Sequence, residues 1–221
     1  PTKLKKMSEI QIIVPIIIAL TTSIFGPLLV KWVEKKFISK INNDPLRDAI
    51  QHNEIIEQQL DAILQEIDCD QAYIAQFHNG GHFYPTGKSI QKFSVFYEIT
   101  TPDTNSLKTL FQNIPVSLFS KQFSILYEKG EIAIEDMNAG PTYGLDLYQA
   151  DGPGCKSIYL LAIKGLDNRI IGIMGLHYVH KKHKLTQNEW IFIRQKVGAI
   201  GNLMSNYLNN KKSQLAFFSC K

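Results

Sequence analysis

The pattern of apolar and polar positions changes character four times along the chain. From Ile12 to Val30 nineteen consecutive residues carry no charge, IIVPIIIALTTSIFGPLLV. A helix of that length rises roughly 28 Å, against about 30 Å of bilayer hydrocarbon. Lys3, Lys5 and Lys6 precede the run, and Lys31, Trp32, Lys35, Lys36 and Lys40 follow it, which sets charges and an indole at headgroup depth. A cleaved signal peptide would have a shorter apolar core and a small-x-small cleavage site, whereas this run ends in Leu-Val-Lys-Trp. A buried helix in water is opposed by Pro15 and Pro27, which membrane spans tolerate. The pattern predicts a basic tail over 1–9 and one transmembrane helix over 10–32, kinked near Gly26-Pro27.

The period then becomes helical. Asp44 has the chemistry of an N-cap and Pro45 that of a first helical residue, where a missing N–H costs nothing. Leu46, Ala49, Asn53, Ile56, Leu60, Ile63 and Ile67 follow at alternating spacings of three and four. Two readings of this linking segment, 33–67, are open. It forms a dimerising coiled coil through Leu46, Asn53, Ile56, Leu60, Ile63 and Ile67, with Asn53 at a register-setting position. Or it packs on its own domain, which Leu64, off the seam, favours by widening the apolar face.

From Gln71 the period drops to two. Residues 73–77 and 93–100 read as strands around the turn-rich stretch HNGGHFYPTGKS. Residues 107–127 read as an irregular helix broken by Pro115, followed by a short strand over 132–135 and a Gly/Pro-rich loop over 138–154. Residues 157–163 and 170–178 are the strongest strands, joined at Gly165-Leu-Asp-Asn168 as a hairpin. Thr186 and Glu189 have capping-box spacing, and Trp190, Ile193, Val197, Ile200, Met204 and Tyr207 share a helical face. The prediction is an α+β domain over 68–209, an antiparallel sheet with the first and last helices together on one face, then a tail over 210–221.

At this point the segments SIYLLAIKGLDNRIIGIMGLHY and TQNEWIFIRQKVGAIGNLMSNYL resemble the closing hairpin and final helix of GAF domains, small-molecule sensors related to PAS. The resemblance spans about Asp44 to Leu208. It implies an antiparallel sheet with flanking helices and a ligand cavity between sheet and loops. The Asn-Lys-Phe-Asp-Glu-type signature of cyclic-nucleotide-binding members has no counterpart, and no cysteine has a bilin-attachment context. In architecture alone the chain also resembles T-even phage holins, with a basic N-terminus, one span and a soluble α+β domain. That resemblance implies a periplasmic domain.

Composition narrows the classes. A hydrophobic content of 44% with 10% aromatics suits a folded domain, and a net charge of +4, concentrated beside the apolar run, reads as attraction to anionic headgroups and not to nucleic acid. The excess of Lys and Arg after the run places the domain in the cytoplasm. Cys69, Cys155 and Cys220, odd in number and widely spaced, suit a reducing compartment.

Candidate chemistry is sparse. In Phe77-His78-Asn79-Gly80-Gly81, His78 and Asn79 offer a donor and an acceptor to a cavity, which Tyr97, Glu98, Tyr143, Asp146 and Tyr148 complete as a polar, aromatic-lined pocket. The plain alternative has Asn79 and the glycines supplying positive φ for a turn and His78 capping a strand end. His177, His180 and His183 do not share a strand face, and Lys181, Lys182 and Lys184 repel a cation, so a solvated basic turn able to meet anionic lipid is expected and not a metal site. Cys155 lacks a neighbouring base and reads as inert. No nucleophile–base–acid set or phosphate cradle is visible, so neither an enzyme nor a cofactor is expected. The expected function is a membrane-anchored, non-enzymatic GAF-like sensor or interaction protein, single-pass in the lipid bilayer, acting through a protein partner or its own homodimer or higher oligomer. The alternatives are a holin-type lysis protein and a structural membrane protein docked in a larger assembly.

Overall fold

The computed structural model describes residues 25–32, 44–82, 87–139, 141–145 and 154–218. The basic tail and most of the expected span lie outside these residues. Residues 25–32 are helical, and among the described residues no helix is long and apolar enough to cross a membrane. The packing below belongs to the unit that begins at Gln51.

Helix α1 runs Pro45–Ile67. Asp44 caps it as expected, its carboxylate accepting from Leu46 N–H at 3.0 Å. Strands β1 (Gln71–His82) and β2 (Ser89–Thr100) form a hairpin longer than the alternation predicted, paired out to His82 and Ser89. The stretch expected to be helical from Leu107 instead holds a loop, strand β3 (Ile114–Pro115) and a 3-10 turn over Val116–Phe119, and α2 begins only at Ser120, running to Lys129. The Glu98 carboxylate accepts from the backbone N–H groups of Leu107 at 2.6 Å and Lys108 at 3.2 Å, which ties that loop down on the sheet. Strands β4 (Glu131–Ile134), β5 (Ser157–Lys164) and β6 (Ile170–Tyr178) follow, then helix α3 (Gln187–Phe218). Helix α3 opens on the expected capping box, Thr186 N–H to Glu189 at 2.6 Å and Glu189 N–H to the Thr186 hydroxyl at 3.3 Å. It continues through most of the expected tail.

The six strands lie in the order β3-β2-β1-β6-β5-β4, each pair antiparallel. One face carries both long helices. Ile56, Leu60, Ile63 and Ile67 of α1 and Ile193, Val197, Ile200 and Met204 of α3 cover Ala72, Ile74, Met174 and Leu176 of the sheet. This corrects the dimer seam. Ile56, Leu60 and Ile63 are 0% exposed and Ile67 1% exposed inside one chain, so their heptad spacing is that of an intramolecular face. Asn53 accepts the Tyr97 hydroxyl at 2.9 Å, which gives its polar position a partner within the chain. Leu46 is 68% exposed and belongs to neither core.

Candidate functional site

A β-bulge decides what faces the other side of the sheet. Ile74 pairs with Tyr97 but Ala75 pairs with Val95, so Phe96 is the extra residue and the faces of β2 exchange there. Before the bulge Phe93 and Val95 point away from the helices, and after it Tyr97 points toward them. The face opposite the long helices is covered by α2, by Phe111 and Phe119, and by a turn ending at Leu145.

Between these layers lies a cavity of about 30 Å³, lined by Tyr73, Ala75, Phe93, Val95, Phe111, Phe119, Gln122, Phe123, Leu126, Leu145, Leu160 and Ile173. That is room for about two water molecules. Phe93 meets Phe119 and Phe123 edge-on at centroid distances of 5.5 and 5.4 Å, and Phe77 meets Phe123 in the same way at 5.4 Å. Among the described residues the polar side-chain groups in the wall are the Gln122 amide and the Tyr73 hydroxyl.

Both are held. Gln122 Nε2 donates to the Tyr143 carbonyl at 2.5 Å. Tyr143 and Gly144 have φ of 52° and 82°, and Leu145 N–H returns to the Thr142 carbonyl at 2.9 Å, the geometry of a type I′ turn. Glycine suits the second of these positions, where a Cβ would also lie 2.8 Å from Gln122 Nε2, but a tyrosine at the first is strained. The Tyr73 hydroxyl lies 3.4 Å from Nε2 of His177, whose fully buried imidazole is driven neutral, its pKa lowered to about 3 by desolvation. Opposite His177, Gln71 donates to Glu98 at 2.9 Å and to the Asn105 carbonyl at 3.1 Å.

The residues expected to form one pocket are not gathered in one. His78 follows Phe77, which packs on Phe123, so alternation turns His78 to the opposite face, where its Nε2 lies 2.9 Å from the Ser94 hydroxyl. Asn79 is exposed and accepts from Gln91 Nε2 at 3.1 Å. Among the described residues of this region the positive φ angles belong to Gly81 and Gly87, while the Lys92 stem lies where a Cβ of Gly80 would be. Tyr97 faces α1. Glu98 does face away from the long helices, but its carboxylate is spent on the loop from Ser106 to Lys108. Tyr143 sits in the turn with its carbonyl accepting from Gln122, and Asp146 and Tyr148 lie outside the described residues. Sequence reading missed Gln122 and Leu145, assigned to a solvated turn a His177 that is fully buried on β6, and passed over Phe111, Phe119 and Phe123, whose four-residue spacing from Phe119 to Phe123 was a usable signal.

The other candidates resolve into structural roles. Cys69 and Cys155 are buried and desolvation pushes both thiols up to about 12, in keeping with the inert reading of Cys155. The basic turn is not a free cationic patch, because Lys181 pairs with Asp68, Lys182 with Asp136, and Lys184 with Glu135 at 3.1 Å. His183 stacks on Tyr178 at 4.6 Å and reaches Glu189 at 3.0 Å.

The chain matches no family model and no curated protein. It does match solved structures. The blue-light-absorbing form of the Thermosynechococcus elongatus PixJ GAF domain aligns with TM-score 0.60 at 13% identity, covering 80% of this chain and 96% of that one. The domain is GAF-like in fold. The phycocyanobilin-bound GAF domain of a cyanobacterial phytochrome aligns at TM-score 0.57 and 16% identity over 80% of this chain and 94% of that one. The GAF region of a Geobacter sulfurreducens PCA protein described as a membrane protein aligns at TM-score 0.54 and 12% identity, over 73% and 98%. Identities this low carry the fold and not the ligand. The holin resemblance receives no support from these matches. In this GAF-like domain the aromatic cavity, and not the His78 loop, is the candidate site.

Proposed function

We propose that the chain is a membrane-anchored, non-enzymatic sensor or interaction protein whose GAF-like domain responds through a partner or its own oligomer. The observation that carries the reading is a GAF-like fold that keeps an aromatic cavity on one sheet face and seats α1 on the other. Strand β2 joins the two. Phe93 and Val95 wall the cavity, and two residues beyond Val95, across the bulge, the Tyr97 hydroxyl donates to Asn53 of α1. A ligand that shifts β2 therefore bears on the helix that leads, in sequence, back toward the apolar run. A cavity wall with one amide and one phenol as its polar side chains, among the described residues, supports binding over chemistry.

The anchor is the run from Ile12 to Val30, and the lysines after it put the domain in the cytoplasm. With the four isoleucine and leucine positions of α1 buried, a partner has to use other apolar positions, such as Leu46 and the 39% exposed Ile55. Alkaline extraction of membranes from cells making the full chain tests the anchor. The wild type is expected to stay in the pellet and an Ile16→Lys/Ile18→Lys variant to be released; release of the wild type would remove the anchor from the proposal.

A further inference from the structure

We infer that the ligand of this cavity is a small, uncharged, mainly apolar ring, and that the turn from Thr142 to Leu145 occupies its seat until it is displaced. The inference rests on the sensor reading above and specifies its ligand.

The chemistry of the wall sets the class. Among the described residues none that lines the cavity is charged, and the floor beyond Tyr73 is a buried imidazole kept neutral. A phosphate or carboxylate entering such a space gives up its hydration with no guanidinium, ammonium or imidazolium to replace it. The edge-to-face rings of Phe93, Phe119 and Phe123 instead present faces and edges to which another ring adds at the same spacing. The Gln122 amide and the Tyr73 hydroxyl orient such a ring through one polar substituent.

The turn sets the size. At about 30 Å³ the cavity is too small for a ring, yet one of its walls is a removable side chain. Leu145 is 1% exposed and sits at the end of a turn in which Tyr143 has a φ of 52°. Its described side-chain latch is the Gln122 bond to the Tyr143 carbonyl. Withdrawing Leu145 relieves the strain at Tyr143, frees Gln122 to bond the incoming molecule and leaves a leucine-sized space beside Phe119 and Phe123. The turn is thus an internal competitor for the site.

Methyl NMR on the full chain in detergent micelles tests this, since resonances of named side chains separate binding from partition into the micelle. Indole is expected to move the methyl signals of Leu145, Leu126 and Ile173 along a saturable curve, while cyclic AMP leaves them in place. Leu145→Ala should bind indole about tenfold more tightly, because less apolar burial has to be undone. Gln122→Met, which keeps the volume and removes the latch, should tighten it about fivefold, and stands in if Leu145→Ala does not fold. Saturable shifts with cyclic AMP and none with indole would overturn the ligand class and leave the sensor reading standing. A folded spectrum that responds to neither probe, in the wild type or in Gln122→Met, would overturn both.

Discussion

The ring of Tyr73 lies across Gly175, its antiparallel partner on β6, so closely that a Cβ on Gly175 would overlap the phenol. The bare Cα lets Tyr73 lie flat enough to wall the cavity and bring its hydroxyl to His177. Gly175→Ala is therefore expected to cost about 1–3 kcal/mol as an overpacked core position, measured by urea denaturation. Tyr73→Phe, which keeps the ring and drops the buried hydroxyl, should cost about 1 kcal/mol. Equal stability of Gly175→Ala and the wild type would contradict the described packing.

His177 makes the domain sensitive to acid. Its pKa lies near 3 in the folded chain and near 6.5 when exposed, so between those values the unfolded chain binds a proton that the folded one does not. Stability then falls as pH drops below about 6.5, by at most about 1.4 kcal/mol per pH unit from this residue. Lowered carboxyl pKa values at Asp68 and Asp136, each beside a lysine, add to the loss only near and below the normal carboxylate range. Thermal midpoints of the wild type and His177→Gln at pH 7, 6 and 5 should converge as pH falls, since the variant lacks the titrating group. Parallel curves would contradict a neutral buried His177.

The α1 seam separates by depth. Ile63→Ala, at a fully buried position, is expected to lose about 2–5 kcal/mol, while Leu46→Ala, mostly exposed, should change stability by less than about 0.5 kcal/mol. If both variants instead altered the oligomeric state in ultracentrifugation without loss of monomer stability, the seam would be intermolecular after all.

These positions also show where the sequence was legible. The caps at Asp44 and Thr186 and the β5–β6 hairpin depend on local chemistry, which a single sequence carries. The spacing from Ile56 to Ile67 revealed a buried face but not its partner, because a helical period reports that a stripe is covered and not by what. The assignment of Tyr97 failed for a different reason. One inserted residue, Phe96, exchanges the faces of β2, and no alternation rule locates a bulge in advance. Phe111 lies in a stretch without regular period before α2, whose course depends on a clamp from Glu98 to the 106–108 loop. That clamp is a tertiary contact, and the cavity depends on it.

The central claim is that occupancy of the cavity reaches α1 through β2. Amide hydrogen exchange of the full chain in micelles, with and without saturating indole, reads it directly. The account predicts altered exchange both in the turn from Thr142 to Leu145 and in α1 from Gln51 to Ile67, with Tyr97→Phe keeping the first change and losing the second. A response confined to the cavity and its turn in the wild type, with α1 unmoved, would contradict it.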